Sequence, residues 1–224
     1  MTNHAPRLIT ISREFGAGGS ELATELGRLL GWPVLDRDLI HLVAERLRLA
    51  DSTVEHLDEH PPSLAARIAT VLIIPQPDHV AYAPPTDLAS ADRIAEASRA
   101  VIATAGESLP LIVVGHGAQC IFASRRDTMH VRVIAPVEER LHRVMRRLGA
   151  DAGHAATLLR RADDDRRAYV QRYFHQDLRN ELQYDMLINT GRVSINEAAA
   201  MIAEVVRRRE SSSADHIAAP ADVS

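Results

Sequence analysis

Residues 8–12, LITIS, form a short β-branched apolar run that passes through a glycine-bearing loop, Arg13–Gly19, into a helix-spaced segment. A strand that hands over to a helix in this way commits the chain to a β–loop–α unit, whose apolar faces need further parallel strands to cover them. From Ser20 onward, Leu22, Ala23, Leu26, Leu29 and Leu30 fall on one helical face, and Gly31 is placed to close the helix. Trp32–Leu35 reads as a second strand ending at Asp36.

The same alternation continues along the chain. Leu39, Ile40, Val43 and Leu47 predict a helix over about 38–49, and Ser52 with Glu55 has the form of a capping box opening another short helix, which Pro61-Pro62 ends. Residues 75–86 hold four prolines and read as a loop. An Ala-rich helix over about 88–105 stops at Gly106, and LIVVG (111–115) is apolar on both faces, as a central parallel strand is. Met129–Ile134 is a fourth strand, with Pro136 opening the helix after it. Residues 152–176 are helical and rich in Arg and Asp, Met186–Asn189 is the last strand, and Ser194-x-x-Glu197 caps a helix to about Arg208. The segment from Ser211 is small and polar and reads as a disordered tail. Five strands alternating with helices predict an α/β fold with a five-stranded parallel sheet, whose carboxyl edge collects the loops after Ser12, Leu35, Val114, Ile134 and Asn189.

Composition narrows the function classes. The net charge of −4 argues against a general nucleic-acid coat, which wants a basic surface. Apolar runs such as Leu111–Val114 are too short to span a bilayer, so no membrane role is expected. The first residues leave no room for a signal peptide, and the single Cys120 allows no internal disulfide, which together point to the cytoplasm. All 26 basic residues are Arg. Chemistry ordinarily done by lysine must therefore be done otherwise.

The loop after the first strand is where an anion would sit. Backbone N–H groups and a helix N-terminus both favour negative charge, and glycines let the backbone approach closely. Measured against G-x-x-x-x-G-K-[ST], Gly18 and Ser20 match, while Arg13 stands at the first glycine position and Gly19 at the lysine. An ordinary glycine turn between strand and helix explains the same local composition.

The wider string shifts the balance toward a nucleotide loop. ISREFGAGGSELA, GWPVLDRDLI, VVGHGA, IAPVEERLHRVM, ADDDRRAYVQRYF and YDMLINTG follow one another from about residue 8 to 205, and in that order they resemble the cytidylate-kinase-like family. The resemblance implies a P-loop kinase-like three-layer sandwich over residues 1–209. It carries an acceptor-binding insertion at about 36–105 and a lid-like segment at about 146–176, with 210–224 as the tail. It implies ATP and Mg2+ as cofactors, a small-molecule phosphate acceptor with CMP or dCMP first, and no nucleic-acid partner. Arg13, Gly16, Ala17, Gly18, Gly19 and Ser20 would hold the triphosphate, with Ser20 toward the metal. Arg13, Arg160, Arg161, Asp163 and Arg166 would serve the transferring phosphoryl group, since an arginine fork suits phosphate oxygens where lysine is absent. Asp36, Arg37 and His116 would face the acceptor. A nucleotide-binding regulator or inactive kinase homologue is the competing expectation.

Each assignment has a plain alternative. Asp36 also suits a helix N-cap. His116 stands where the family's glycine turn carries arginine, and a histidine at a strand end is often a packing residue. The run Asp163–Arg167 also fits a solvated helix face with Asp163–Arg166 pairing three apart. His56 and His60 fit an H-x-x-E-H pattern through Glu59, but there is no evident third ligand, and chance on a charged helix is the better account.

Overall fold

In a computed structural model the described residues are 4–36, 88–108 and 110–218. The chain divides into two compact units, residues 1–34 with 110–224, and residues 35–109. Arg37, the expected helix over 38–49, the Ser52/Glu55 capping box, the His56/His60 pair and the proline-rich loop at 75–86 lie outside the described residues.

The first unit is built on a sheet of order β2-β3-β1-β4-β5, comprising β1 (Leu8–Arg13), β2 (Val34–Leu35), β3 (Leu111–Val114), β4 (Thr128–Ile134) and β5 (Met186–Asn189). β1 runs parallel to both its neighbours, with Leu8 opposite Leu111 on one side and Thr128 on the other, and β4 runs parallel to β5. Every residue of β3 is buried, as its unbroken apolar run requires. Because β3 and β4 flank β1 on opposite sides, the strand order reverses at β1. The loop after Arg13 opens at that switch point, where parallel sheets bind their ligands.

Two helices cover one face of the sheet, α1 (Gly19–Leu30) and α6 (Ile195–Ala218). The expected stripe on α1 forms, with Leu22, Ala23 and Leu26 fully buried and Leu29 and Leu30 packed at its margin. Gly31 closes the helix at φ 69, a conformation that costs a side-chain-bearing residue about 1 kcal/mol. These residues meet Ile9, Ile11, Val131, Val133, Ala199 and Ile202 in one core, where truncating a leucine such as Leu26 to alanine costs about 3 kcal/mol.

The Ser194/Glu197 box is present in full, with Ser194 N–H donating to the Glu197 carboxylate (2.9 Å) and Glu197 N–H donating to Ser194 Oγ (3.2 Å). The helix it opens runs through Ala218, not to about Arg208. Residues 211–218 are thus helical where a disordered tail was expected, because adding a residue to a helix already formed avoids the cost of nucleation. Between β4 and β5 lie α4 (Val137–Leu148) and the long α5 (Ala152–Phe174), the latter capped by Asp151, which accepts from His154 N–H at 2.9 Å. A short α3 (Ala118–Ile121) follows β3.

The second unit contributes α2 (Leu88–Ser108), longer than the expected 88–105. Its buried residues Ala95, Ser98, Val101, Ile102 and Ala105 follow helical spacing. No helix among the described residues is long and apolar enough to cross a membrane.

Candidate functional site

The glycine loop is shaped by what packs behind it. Gly16 and Gly18 take left-handed backbone at φ 77 and 81. A Cβ on Gly16 would stand 3.0 Å from the Arg140 carbonyl, and one on Gly18 would stand 2.6 Å from Ile195 Cδ1. Ala17 between them is fully buried, its carbonyl accepting from Thr190 Oγ1 at 2.7 Å. Arg143 in turn donates to Thr190 Oγ1 (2.9 Å) and to its carbonyl (2.7 Å), so the loop is pinned from its back by α4 and the end of β5.

Some loop amides are already engaged. Glu14 N–H donates to the Val133 carbonyl, Ala17 N–H to the Glu14 carbonyl, and Phe15 N–H to Asp163 Oδ1 at 2.8 Å. The amides of Gly16, Gly18, Gly19 and Ser20 make no hydrogen bond to a described residue, and α1 carries no side-chain cap. Four N–H groups at a helix start therefore remain for an anion. Ser20 is exposed in the first turn of α1, and its hydroxyl is the loop's candidate metal ligand. Among the described residues no cluster of three or more His, Cys, Asp or Glu is arranged to hold a metal ion.

The lysine position has a direct physical explanation. A Cβ on Gly19 would lie 2.7 Å from Arg13 Cβ and 2.8 Å from its Cγ. The guanidinium continues to Gly115, where a Cβ would lie 1.9 Å from Arg13 Nη1. One arginine side chain therefore spans both glycines, and its stem fills the space a Gly19 side chain would need.

The turn after β3 is unusual in its own right. Gly115, His116 and Gly117 all have positive φ, at 83, 52 and 68. For His116 that conformation is strained. Its ring sits edge-on to Tyr169 at 6.1 Å, and Phe174 packs so closely on Gly117 that a Cβ there would meet the ring at 2.3 Å. Aromatic residues of α5 thus clamp the His116 turn, which gives His116 a packing role beside its position at the sheet's carboxyl edge.

The middle of α5 is fastened to the glycine loop by charge. Asp163 accepts from Phe15 N–H and from Arg140 Nη1 (2.5 Å) and lies 3.5 Å from Arg166. Arg140, almost fully buried, also reaches Glu14 (3.5 Å) and the Phe15 carbonyl (3.3 Å). The Phe15 ring has the guanidinium carbons of Arg147 and Arg166 at 5.4 and 5.5 Å, within cation–π range. Asp163 is thus a structural tie between loop and lid-like helix, and its carboxylate is already spoken for.

These residues border a cavity of about 250 Å³. Arg13, Arg132, Arg140, Arg160, Arg166, Arg167 and Arg179 line it against Glu14, Asp163 and Asp164, so among the described residues seven positive groups face three negative ones. The surplus suits a polyanion. Of the expected arginines, Arg13, Arg160 and Arg166 line this cavity. Arg161 does not: it is 80% exposed and faces Asp165 at 4.0 Å, because one helical step turns it away from Arg160. Asp36 follows β2 within the second unit. Arg132, Arg140, Arg167 and Arg179 were not singled out from sequence. For Arg132 a signal existed: polar Ser12 and Arg132 stand opposite each other in two adjacent central strands, where both faces should be apolar.

Cys120 is half-buried, its thiol pushed up to about 11 by desolvation and pointing to Gln183 Oε1 at 3.8 Å.

Comparison with known proteins fits this architecture. The model of the cytidylate kinase-like family matches residues 8–192. Among solved structures, an uncharacterised protein from Eubacterium ventriosum is similar at a TM-score of 0.65 and 20% identity, over 89% of this chain and 98% of that one. Shikimate kinase from Acinetobacter baumannii, solved with shikimate, gives 0.50 and 13%, over 92% and 95%. TT1252 from Thermus thermophilus gives 0.50 and 19%, over 91% and 98%. At these identities the likeness shows a P-loop kinase fold. No curated protein matches the chain.

Proposed function

From membership of the cytidylate kinase-like family, to which the chain belongs, we propose that it is an ATP- and Mg2+-dependent phosphotransferase acting on a nucleoside monophosphate, with CMP or dCMP the first acceptor to try. The observation that carries this reading is the loop itself. Four N–H groups, of Gly16, Gly18, Gly19 and Ser20, have no described partner and open at the switch point of the sheet, beside a cavity with a surplus of guanidinium groups.

The chain's own residues then divide the work. The loop amides bind and orient the phosphate chain. Arg13 supplies the positive charge that the absent lysine would have brought, and Arg160 and Arg166 add charge from α5. Asp163 acts as a positioning residue that holds α5 against the loop. Ser20 offers its hydroxyl to the metal, and Asp36, Arg37 and His116 are assigned to the acceptor side. When bound, the ATP–Mg2+ complex brings the phosphoryl group and much of its charge neutralisation.

A second reading, a nucleotide-binding regulator, is favoured by one observation. Glu14 and Asp163 both pair with Arg140, and Asp164 forms a close pair with Arg167. No carboxylate lining the described cavity is thus left over to take an acceptor proton. The two readings separate in a coupled assay of ADP formation with ATP, Mg2+ and a panel of monophosphates, run beside calorimetric ATP titration. CMP- or dCMP-dependent ADP formation supports the kinase. ATP binding without turnover on any acceptor supports the regulator, and absence of ATP binding contradicts both.

A further inference from the structure

Among the described residues, Arg132 has no counter-ion. It stands in the middle of β4, only 6% exposed, beside Ser12 of β1, to whose Oγ it donates at 3.2 Å. Its guanidinium carbon lies 5.6 Å from the centre of the Tyr184 ring, and the Tyr184 hydroxyl donates to the Leu178 carbonyl at 2.8 Å. No carboxylate lies within ion-pair distance of it among the described residues. Asp177, which feels its charge, pairs with Arg179 at 3.4 Å instead. A buried guanidinium held by one hydroxyl and one aromatic ring is unfavourable unless something anionic completes it.

That guanidinium lines the cavity described above, together with Arg179, Arg160 and Arg13. The cavity's carboxylates do not serve it: Glu14 and Asp163 pair with Arg140, and Asp164 pairs with Arg167. We propose that Arg132 is the buried anchor of an anion subsite, distinct from the amides of the glycine loop, that takes a phosphoryl group. The planar fork of arginine, fixed by Ser12 and Tyr184, suits two phosphate oxygens at once. This deepens the phosphotransferase reading and rests on it for the source of the phosphoryl group. The acceptor's monophosphate and the terminal phosphate of the triphosphate share the chemistry.

The test is calorimetric titration of the full chain with inorganic pyrophosphate, CMP and ATP, for wild type, R132M and R132K, with melting of each protein free of ligand. Wild type binds at least one probe, and R132M weakens that binding by about 10- to 100-fold, the scale of a lost charge-assisted pair. The ligand-free R132M melts at or above the wild-type temperature, because the substitution removes an uncompensated buried charge. R132K folds like wild type and binds more weakly than it. A loss confined to CMP identifies the acceptor's phosphate. A loss confined to pyrophosphate and ATP identifies the triphosphate.

Unchanged affinity for all three probes in R132M overturns the subsite, as does an R132M that melts well below wild type or fails to fold, which marks a purely structural cation. The outcome is separable from that of the kinase reading. Arg132-dependent pyrophosphate binding without turnover on any acceptor leaves the subsite standing and removes the kinase. CMP turnover with affinities indifferent to R132M does the reverse.

Discussion

The side chain of Arg13 lies across the Cα of Gly19, so close that a Cβ on Gly19 would stand 2.7 Å from Arg13 Cβ. The Gly19 backbone itself is not in the left-handed region, so space alone excludes a side chain there. The glycine at the lysine position is therefore the counterpart of the arginine at the first loop position. At the far end of the same side chain, Gly115 makes room for the guanidinium. Arg13 and Gly19 of one loop and Gly115 of a distant turn form one device that delivers a positive charge along the loop.

Asp163 ties the loop to α5 through Phe15 N–H, Arg140 and Arg166. Removing it leaves the nearly buried Arg140 with only the longer contacts to Glu14 and the Phe15 carbonyl. D163A is expected to lower stability by about 3 kcal/mol, the scale for breaking a largely buried pair. D163N, which keeps an acceptor for Phe15 N–H, is expected to lose less. Urea denaturation monitored by circular dichroism measures both.

His130 is held below its ordinary 6.5 by burial, with Asp185 opposing the shift. Its Nδ1 lies 2.7 Å from Thr10 Oγ1, and its own N–H donates to Asp185. Between the folded value and 6.5 the unfolded chain binds the extra proton, so stability rises with pH through that window and is lost as pH falls below 6.5. Melting temperatures between pH 7 and pH 5, on the order of this window, should fall more steeply for wild type than for H130N. Parallel curves would show that His130 does not titrate as described.

Desolvation keeps the Cys120 thiol protonated up to about 11, against an ordinary value of 9.0. At mildly alkaline pH its thiolate fraction is then about 100-fold below that of an open cysteine. Iodoacetamide labelling of the folded chain should be slower than that of the urea-unfolded chain by at least this factor. Comparable rates would mean an exposed thiol.

Much of this fold is legible in the residues because its strands and helices announce themselves locally. LITIS and LIVV are short apolar runs that suit a buried parallel strand, Gly31 ends a helix by its backbone freedom, and Ser194 with Glu197 is a cap that forms as written. The site is less legible, since it depends on what meets across the sheet. Arg160 and Arg161 are equivalent in sequence, and only the rotation of α5 sends one to the cavity and the other to Asp165. Arg132 looks like one more polar residue of β4 until Ser12 is found opposite it with no acid nearby among the described residues. Helix α6 outruns its expected end because extending a helix that tertiary packing has already started avoids the cost of nucleation.

The claim on which the account turns is that Arg13 occupies the lysine's place, and a double-mutant cycle on ATP affinity tests it most directly. R13A removes the charge and G19K adds one where Arg13 already lies, so each alone should weaken ATP binding by about 10-fold or more. In R13A/G19K the lysine has room, and the double variant should bind ATP better than either single one. Additive losses, or a G19K protein that binds ATP as well as wild type with Arg13 still present, would contradict it.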